Sequence, residues 1–283
     1  MGKVWFVTGT SRGLGREFAL AALARGDRVA ATARDAATLD DVVAAYGDAV
    51  LPLTLDVTDR AQVDDAVRRA HERFGRLDVV VNNAGYGHFG FVEELTDAEL
   101  RDQLDTNLFG VLHVTQAVLP ILRAQGSGHV VQISTIGGIA AFPMIGAYHA
   151  SKWALEGLTE ALAQEVRGFG IDVTLVEPGG FSTDWAGSSA RHSAPLPAYD
   201  GLREQVLAGR AAASAGRGDP TATGAALLRI VDADVKPLRV LFGEQPTHIV
   251  KALYADRLRT WVEWEPVSLA AQGGTHTDAS ARG

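Results

Sequence analysis

The sequence contains no cysteine among its 283 residues. Disulfides and thiolate metal ligands are therefore excluded, and the absence is typical of a protein from a reducing compartment. No apolar run is long enough to span a bilayer. The apolar run near the N-terminus, Val4–Val7, is shorter than the apolar region of a signal peptide. We therefore expect a soluble, cytoplasmic protein with no membrane partner.

Basic residues are too few to give the chain a positive surface. Lysine and arginine number 26 against 34 aspartates and glutamates, which gives a formal net charge of -8. Because such a surface repels a phosphate backbone, we expect no nucleic-acid partner. Nor does any cluster of metal-ligating side chains stand out in the sequence, so no metal is expected.

What the sequence does contain is an alternation of short β-branched runs with longer amphipathic segments. That alternation predicts a parallel sheet covered by helices. The predicted strands are Val4–Val7, Arg28–Ala33, Ala49–Leu55, Val79–Val81, His129–Ile133, Asp172–Val176 and Arg239–Phe242. We expect a single domain over residues 1–269. The small, polar residues 270–283 predict a disordered tail.

Apolar residues at helical spacing predict the segments between the strands. The clearest helix runs over Asp59–Phe74, and a first helix covers Leu14–Arg25. Two long helices are predicted over Leu100–Arg123 and Ala147–Arg167, apolar on more than one face. Residues 179–220 are rich in Gly, Ser, Ala and Pro, which predicts a long functional or mobile loop.

The first strand leads into a glycine-rich turn with glycines at 9, 13 and 15. Glycines allow a tight turn and bring backbone amides close to a pyrophosphate at a helix N-terminus. The spacing Gly-x-x-x-Gly-x-Gly differs from the more familiar Gly-x-Gly-x-x-Gly. On this motif alone, an ordinary turn between a strand and a helix is the alternative.

The choice of nucleotide depends on the end of the second strand, where an NAD site places an acid for the ribose 2′-hydroxyl. Here the strand ends at Ala33, and Arg34 follows. Arg34 and Arg12 could both bind a 2′-phosphate through charge-assisted hydrogen bonds. Asp35 is the counterargument, but its position favours a role as a cap for the next helix. We therefore expect NADP(H) rather than NAD(H).

A series of motifs then occurs in a fixed order over about two-thirds of the chain. They are Gly9/Gly13/Gly15, Leu55-Asp56-Val57, Asn82-Asn83-Ala84-Gly85, Asn107, Ile133-Ser134-Thr135, Tyr148-His149-Ala150-Ser151-Lys152 and Pro178-Gly179-Gly180-Phe181-Ser182-Thr183. In this order the chain resembles the short-chain dehydrogenase/reductase family, in its compact single-domain branch. The resemblance implies a Rossmann-type, doubly wound, mainly parallel seven-stranded sheet with helices on both faces. It also implies hydride transfer between a nicotinamide and a carbonyl compound.

Tyr148 and Lys152 are four residues apart on a predicted helix, so their side chains share a face. A free phenol has a pKa of about 10, and a depression of ~3 units would need about 4 kcal/mol of stabilisation from nearby positive charge. The resemblance makes Tyr148 the proton donor and acceptor, and gives Lys152 a hydrogen bond to the nicotinamide ribose. A core tyrosine and a solvated lysine are the alternative on the spacing alone.

The family's third catalytic residue is a serine thirteen positions before the tyrosine, and this sequence has Thr135 there. We expect Thr135 to hold the substrate oxygen, with Ser134 on the opposite face of the strand. A bulge that exchanges the two remains open. Asn107 resembles the asparagine that helps to hold a proton-relaying water, although an asparagine satisfied by nearby backbone is the alternative.

The resemblance also implies the residues that contact the dinucleotide. They are Gly9, Ser11, Arg12, Gly13, Leu14, Gly15, Arg34, Asp56, Val57, Asn83, Ala84, Gly85, Tyr148, Lys152, Pro178, Gly179, Phe181 and Thr183. It further implies a homodimer or homotetramer formed through the two long helices.

Aromatic residues in the predicted loop, with His88 and Phe89 opposite, favour a partly apolar small-molecule carbonyl or alcohol as substrate. Equally, the loop aromatics could serve only to anchor the loop to the body of the protein. His149 is given no role, because a neighbouring helix position points about 100° away from Tyr148.

Two other functions stay open at this stage. A sugar-nucleotide epimerase or dehydratase also uses a Tyr-x-x-x-Lys pair, but usually with a different glycine spacing and a larger C-terminal domain. A nucleotide-sensing regulator without turnover would be expected to lack the tyrosine or the lysine, and both are present here.

Overall fold

A computed structural model describes residues 2–273 of the chain. The central sheet has seven parallel strands in the order β3-β2-β1-β4-β5-β6-β7. They are β1 (Val4–Val7), β2 (Arg28–Ala33), β3 (Val50–Thr54), β4 (Val79–Asn82), β5 (Gly128–Ile133), β6 (Ile171–Pro178) and β7 (Arg239–Phe242). The Rossmann-type sheet predicted from the sequence is confirmed, with strand ends that differ by at most two residues from those predicted.

Helices connect the strands and cover both faces of the sheet. They are α1 (Gly13–Ala24), α2 (Asp40–Tyr46), α3 (Arg60–Phe74), α4 (Asp97–Leu104), α5 (Gly110–Gln125), α6 (Gly146–Val166), α7 (Asp200–Ala212), α8 (Thr221–Asp232), α9 (Glu244–Glu263) and α10 (Glu265–Ala271). No helix within residues 2–273 is long and apolar enough to cross a membrane.

Alternate residues of each strand point to opposite faces of the sheet and enter separate cores. In β1, Val4 and Phe6 join the core beneath α3, α5 and α6, whereas Trp5 and Val7 join the core beneath α1 and α8. All four side chains are fully buried. This burial on both faces explains why the strand is apolar throughout.

Local signals place the ends of α3 where the sequence predicted them. The Asp59 carboxylate accepts hydrogen bonds from the amides of Ala61 and Gln62, at 2.9 and 3.1 Å. The helix ends at Gly75, whose φ of 78° is in the left-handed region that favours glycine. The apolar residues at helical spacing in this segment are all buried: Val63, Ala66, Val67, Ala70 and Phe74.

Two predictions on helices and loops were wrong in detail. The predicted helix Leu100–Arg123 is divided into α4 and α5 by a π-helical segment, Asp105–Phe109. The predicted loop over residues 179–220 contains α7, because its later part is rich in good helix formers despite the small residues around it. A two-stranded parallel ribbon, His88–Phe89 with Arg191–His192, ties the earlier part of this segment to the body.

The end of the chain also differs from the prediction. The predicted disordered tail began at residue 270, but α10 extends to Ala271. The rest of that prediction, residues 274–283, lies outside the described residues.

Strand order determines where a ligand would sit. From β1 the chain moves outward to β3 and then returns to β4 on the other side of β1. The connections therefore diverge at the carboxyl ends of β1 and β4 and leave a crevice there, which is where open α/β sheets bind their ligands.

Candidate active site

A cavity of about 950 Å³ lies along the carboxyl ends of the strands. The predicted site residues line it, with two exceptions, Gly15 and Asn107. The predicted residues in the lining are Gly9, Ser11, Arg12, Gly13, Leu14, Arg34, Asp56, Val57, Asn83, Ala84, Gly85, Thr135, Tyr148, Lys152, Pro178, Gly179, Phe181 and Thr183. The fold thus brings together motifs that are up to 174 residues apart in the sequence (from 9 to 183).

The glycine-rich turn presents the start of α1 to the cavity. Gly9 and Gly13 have φ values of 71° and 62°, in the left-handed region. No side chain caps the N-terminus of α1. Backbone amides at such a start are available to an anion and favour negative charge. This end of the cavity therefore fits the pyrophosphate of a dinucleotide.

Gly15 acts through packing, outside the cavity lining. A Cβ at this position would overlap the side-chain amide of Asn83. That amide donates to the backbone oxygens of Thr8 and Gly9, both at 2.9 Å. Gly15 therefore allows Asn83 to hold the end of β1 against the end of β4, which fixes the floor of the crevice.

The end of the cavity next to β2 contains Arg34 and lies beside the cap that the sequence predicted. The Asp35 carboxylate accepts a hydrogen bond from Ala37 N at 3.0 Å, so it caps the following turn. Arg34 is exposed, lines the cavity and has no salt bridge with the residues that the structure describes. Arg12 is placed differently: its guanidinium binds Asp184 at 3.1 Å and Ser188 at 2.6 Å. Arg12 is therefore bound to an acid and is not free to join Arg34 at a 2′-phosphate, contrary to what the sequence predicts.

Tyr148 and Lys152 lie one turn apart on α6 and face the cavity together. The Lys152 ammonium is 5.9 Å from the centroid of the Tyr148 ring. Its Nζ also donates to the backbone oxygen of Ile133 at 2.7 Å. Both side chains are almost completely buried, with residue exposures of 8% and 5%. The core-tyrosine and solvated-lysine alternative is therefore wrong for the lysine.

Burial moves the two pKa values towards the neutral forms. It raises the pKa of Tyr148 to about 12, an effect that a hydrogen bond with Thr135 partly opposes. It also lowers the pKa of Lys152 to about 8, against an opposing effect of the Glu156 charge. The pKa of Tyr148 is thus raised in this structure and not depressed as the sequence led us to expect, because desolvation of the phenol outweighs the hydrogen bond with Thr135. A neutral phenol is the form that can donate a proton.

Thr135 and Ser134 point to different surroundings, as strand alternation predicts. Thr135 Oγ1 donates to the oxygen of Pro178 at 3.2 Å and accepts from Gly137 N at 3.2 Å. A hydrogen bond with the Thr135 side chain also lowers the pKa of Tyr148, against the larger effect of burial. The buried Ser134 hydroxyl instead lies near Glu156, where both would meet a Cβ placed on Gly138.

Asn107 lies in the π-helical segment between α4 and α5 and is fully buried. Its Oδ1 accepts from Tyr86 N at 3.1 Å, and its Nδ2 donates to Tyr86 O at 3.0 Å and to Ser151 Oγ at 3.1 Å. The side chain therefore joins the segment after β4 to α6, close to Tyr148. The alternative, in which nearby backbone satisfies this asparagine, is not what the structure shows, because Tyr86 is distant from Asn107 in the sequence. Its role in a water relay stays a prediction.

Glu156 lies one turn beyond Lys152 and begins a buried charged group. Arg239, on β7, binds Glu156, Glu160 at 2.8 Å and Glu177 at 2.7 Å. Burial raises the pKa of Glu156, and burial together with the Glu156 charge raises that of Glu177 to about 7. This group is not among the predicted site residues. The sequence signal is the four-residue spacing from Lys152 to Glu156 on one helix.

The end of the cavity around Tyr148 is aromatic. The rings of Tyr148 and Trp185 pack edge to face with centroids 5.0 Å apart, and Phe89 lies 5.5 Å from Trp185. Tyr199, by contrast, stacks on Phe91 at 4.7 Å outside the cavity lining. Of the aromatics between 179 and 220, Phe181 and Trp185 thus line the cavity, whereas Tyr199 anchors the segment.

Histidines near the site are structural. His149 Nδ1 donates to Gly137 O and its Nε2 accepts from Phe142 N, both at 2.8 Å. Burial lowers the pKa of His149, which favours the neutral ring that these bonds require. His88 lies outside the lining and pairs with Ser193 at 2.8 Å. Within residues 2–273, no group of three or more His, Asp or Glu side chains could hold a metal ion.

Sequence reasoning missed the lining residues on α7 and α9. They are Val206, Gly209, Arg210, Gln245 and Ile249. The four-residue spacing of Val206 and Arg210 could have indicated a helix in the predicted loop, with both side chains on one face. For α9 no comparable signal is evident, because most of this helix is exposed.

Known proteins are similar to this chain in sequence and in fold. A family model for short chain dehydrogenases matches residues 3–194. The oxidoreductase BOA17 of Botryotinia fuckeliana is 42% identical over 275 residues, which is 96% of this chain and 100% of that protein. The solved structure of a short-chain dehydrogenase from Streptomyces avermitilis has 42% identity and a TM-score of 0.88, and covers 95% of this chain and 98% of that one.

Less similar structures contain both types of nucleotide. A short chain dehydrogenase/reductase from Burkholderia phymatum in complex with NAD has 26% identity and a TM-score of 0.79, covering 92% of this chain and 95% of that one. An alcohol dehydrogenase from Thermococcus sibiricus, complexed with 5-hydroxy-NADP, has 26% identity and a TM-score of 0.71, covering 85% and 96%. Members of this fold family therefore bind NAD or NADP. The sequence match, the sheet order and the cavity agree that this chain belongs to the short-chain dehydrogenase/reductase family of oxidoreductases.

Proposed function

We propose that this protein is an NADP(H)-dependent oxidoreductase that interconverts a ketone or aldehyde and the corresponding alcohol. One observation carries the proposal: the Tyr148–Lys152 pair, Thr135 and the glycine-rich turn all line the same cavity. The pair lies between an aromatic substrate end and a turn suited to a pyrophosphate. A carbonyl beside Tyr148 would therefore be next to a nicotinamide bound along the strand ends.

When bound, NADPH supplies the hydride that reduces the carbonyl carbon. Tyr148 donates its phenolic proton to the carbonyl oxygen, and in the reverse direction the phenolate accepts a proton from the alcohol. The Thr135 hydroxyl, whose one proton turns from Pro178 O to the substrate, donates a hydrogen bond to the same oxygen as negative charge develops. Lys152, held by Ile133 O, provides the positive charge that stabilises the phenolate after proton transfer.

Support for NADP(H) over NAD(H) comes from Arg34 and Asp35. Arg34 lines the cavity just after β2, where the adenosine ribose of a dinucleotide lies in Rossmann folds. Asp35 is occupied as a cap and is therefore unavailable as the acid that an NAD site requires. Arg12, bound to Asp184, contributes less than the sequence suggested.

The remaining predicted dinucleotide contacts are part of the same proposal. They are Gly9, Ser11, Gly13, Leu14, Asp56, Val57, Asn83, Ala84, Gly85, Pro178, Gly179, Phe181 and Thr183, all in the cavity lining. Gly15 is proposed to support the site through packing on Asn83, and Asn107 through its bonds to Tyr86 and Ser151.

A homodimer or homotetramer through α5 and α6 is also proposed. Support comes from large apolar side chains exposed on or next to these helices. Phe109, Trp153 and Leu158 are 44%, 42% and 38% exposed. Light scattering coupled to size-exclusion chromatography measures the mass against the 29.9 kDa of one chain.

The experiment that tests the proposal measures NADPH and NADH oxidation by the purified protein over a panel of ketones and aldehydes. Turnover of at least one carbonyl compound, with a higher kcat/KM for NADPH, is the expected result. Stoichiometric NADPH binding without turnover of any compound would favour a nucleotide-sensing regulator instead.

A further inference from the structure

Arg210 points its guanidinium into the substrate end of the cavity from α7. The group lies 4.9 Å from the centroid of the Phe89 ring. Phe89 packs on Trp185, which in turn packs on Tyr148. Arg210 therefore belongs to the same aromatic wall as the proposed catalytic phenol.

No carboxylate neutralises Arg210. It forms no salt bridge with any residue that the structure describes, although it is half-buried. Its pKa is lowered, first by burial and then by the positive charge of Arg217, which also lines the cavity. Arg210 in turn lowers the pKa of the buried His149, so its positive charge reaches the neighbourhood of α6.

None of the acidic residues in the cavity lining forms a described ion pair with Arg210. Asp184 binds Arg12 and Asp102 binds Arg191. Asp56 accepts hydrogen bonds from Thr58. The fourth, Asp105, acts electrostatically on the phenol of Tyr86. Three arginines in the cavity lining have no described acidic partner: Arg210, Arg217 and, at the nucleotide end, Arg34.

A half-buried guanidinium without an acid is costly, because it has lost water and gained no counter-charge. An anion that enters the cavity and binds it recovers this loss. Guanidinium groups match carboxylates and phosphates well, since both accept two parallel hydrogen bonds.

We propose that Arg210, assisted by Arg217, binds an anionic oxygen group of the substrate, so that the preferred substrate is a carbonyl compound with a carboxylate or phosphate beyond an apolar segment. Phe89, Trp185 and Val206 would contact the apolar segment between the carbonyl and the anion. The reduction chemistry of this inference rests on the proposed function, whereas the anion site itself does not.

Binding of small probes tests the anion site without any turnover. Hexanoate, hexyl phosphate and hexanamide are titrated calorimetrically onto the full chain. At least one of the two anions is expected to bind about tenfold more tightly than the neutral amide. The tighter anion identifies which group the site prefers.

Variants locate the binding. Arg210→Met keeps the aliphatic stem on Phe89 and removes the charge, so the preference for the anion should disappear. Two controls should keep it: Arg34→Asp, at the nucleotide end, and Arg229→Met, an exposed residue of α8 outside the cavity lining. Equal binding of all three probes, or equal loss in Arg229→Met, would overturn the proposal.

Activity separates this inference from the proposed function. We expect kcat/KM with NADPH to be about tenfold higher for 5-oxohexanoate than for its methyl ester, with the difference mainly in KM and absent in Arg210→Met. Anion binding without turnover of these two ketones or of any compound in the carbonyl panel would leave the site in place and reject the proposed function. Equal turnover of acid and ester, without anion binding, would reject the site and leave the function in place.

Discussion

The Lys152 ammonium lies 5.9 Å from the centroid of the Tyr148 ring and is fixed there by a 2.7 Å hydrogen bond to the oxygen of Ile133. The bond ties the end of β5 to the middle of α6. Because β5 continues into Thr135, the same contact sets the position of the threonine relative to the phenol. Three side chains with separate chemical roles are thus held by one junction between a strand and a helix.

Burying that ammonium destabilises the nucleotide-free protein. The pKa of Lys152 is lowered from 10.5 to about 8, so the unfolded chain binds more protons between these pH values. Stability should therefore rise with pH across this window, as the buried group loses its charge. We predict that the free energy of unfolding of Lys152→Met is about 2 kcal/mol higher than that of wild type at pH 7. Removal of the buried ammonium stabilises the fold by up to about 3 kcal/mol, and the loss of its hydrogen bond to Ile133 offsets part of this gain.

Urea titrations at several pH values measure this difference. It should shrink between pH 8 and 10.5, because the wild-type lysine becomes neutral there in the folded state. A difference that does not change with pH would mean that the ammonium is not desolvated as described. The variant should also lose nearly all turnover, so it would be more stable than wild type but inactive.

Arg34 should determine the choice between NADPH and NADH. Arg34→Asp replaces an attraction for the 2′-phosphate with a repulsion, so the ratio of kcat/KM for NADPH to that for NADH should fall by about 100-fold. Arg259→Asp, on the exposed α9, is the matched control and should leave the ratio unchanged. Arg12→Ala should have a smaller effect than Arg34→Asp, because Arg12 is bound to Asp184. An unaltered ratio in Arg34→Asp would show that the phosphate lies elsewhere.

Thr135 and Ser134 provide a test with two neighbouring hydroxyls. Thr135→Ala should lower kcat by about 100-fold through loss of a hydrogen bond to the developing negative charge. Ser134→Ala should change it by less than about threefold, because that hydroxyl, although Ser134 also lines the cavity, lies near Glu156. Thr135→Ser should retain most activity. Equal losses in the two alanine variants, or a larger loss in Ser134→Ala, would transfer the role to Ser134.

Arg239 holds two buried carboxylates close to the site. Arg239→Met removes their shared cation, and the free energy of unfolding should fall by about 3 kcal/mol at pH 8. At pH 5 the loss should be smaller, because the pKa of Glu177, raised to about 7, makes that carboxyl neutral at pH 5, and the raised pKa of Glu156 moves it in the same direction. Chemical denaturation at the two pH values, with Arg259→Met as the control, measures this. An equal loss in the free energy of unfolding at pH 8 and pH 5 would show that the charge states of Glu156 and Glu177 do not control their interaction with Arg239.

The sheet and most of the site could be predicted from the sequence because their signals are local. β1, for example, is an apolar run followed by glycines, and the residues around Tyr148 form a motif on one helix. The position of Asp35 as a cap also followed from its place next to the strand end, and the structure confirms it.

Contacts between distant segments could not be predicted in this way. Arg12 pairs with Asp184, 172 positions later, and nothing in the glycine-rich turn indicates that partner. The pKa of Tyr148 depends on its almost complete burial by residues such as Trp185, which no single motif encodes. α7 was missed because small residues around it concealed a helical period, and Arg210 was missed with it.

The most direct test of the account is the rate of NADPH oxidation by Tyr148→Phe. The account predicts a fall in kcat of about 1,000-fold with NADPH binding unchanged, because only the proton donor is removed. Tyr254→Phe, at a half-exposed tyrosine on α9, should react as wild type does. A wild-type rate in Tyr148→Phe would contradict the central claim that this phenol transfers the proton.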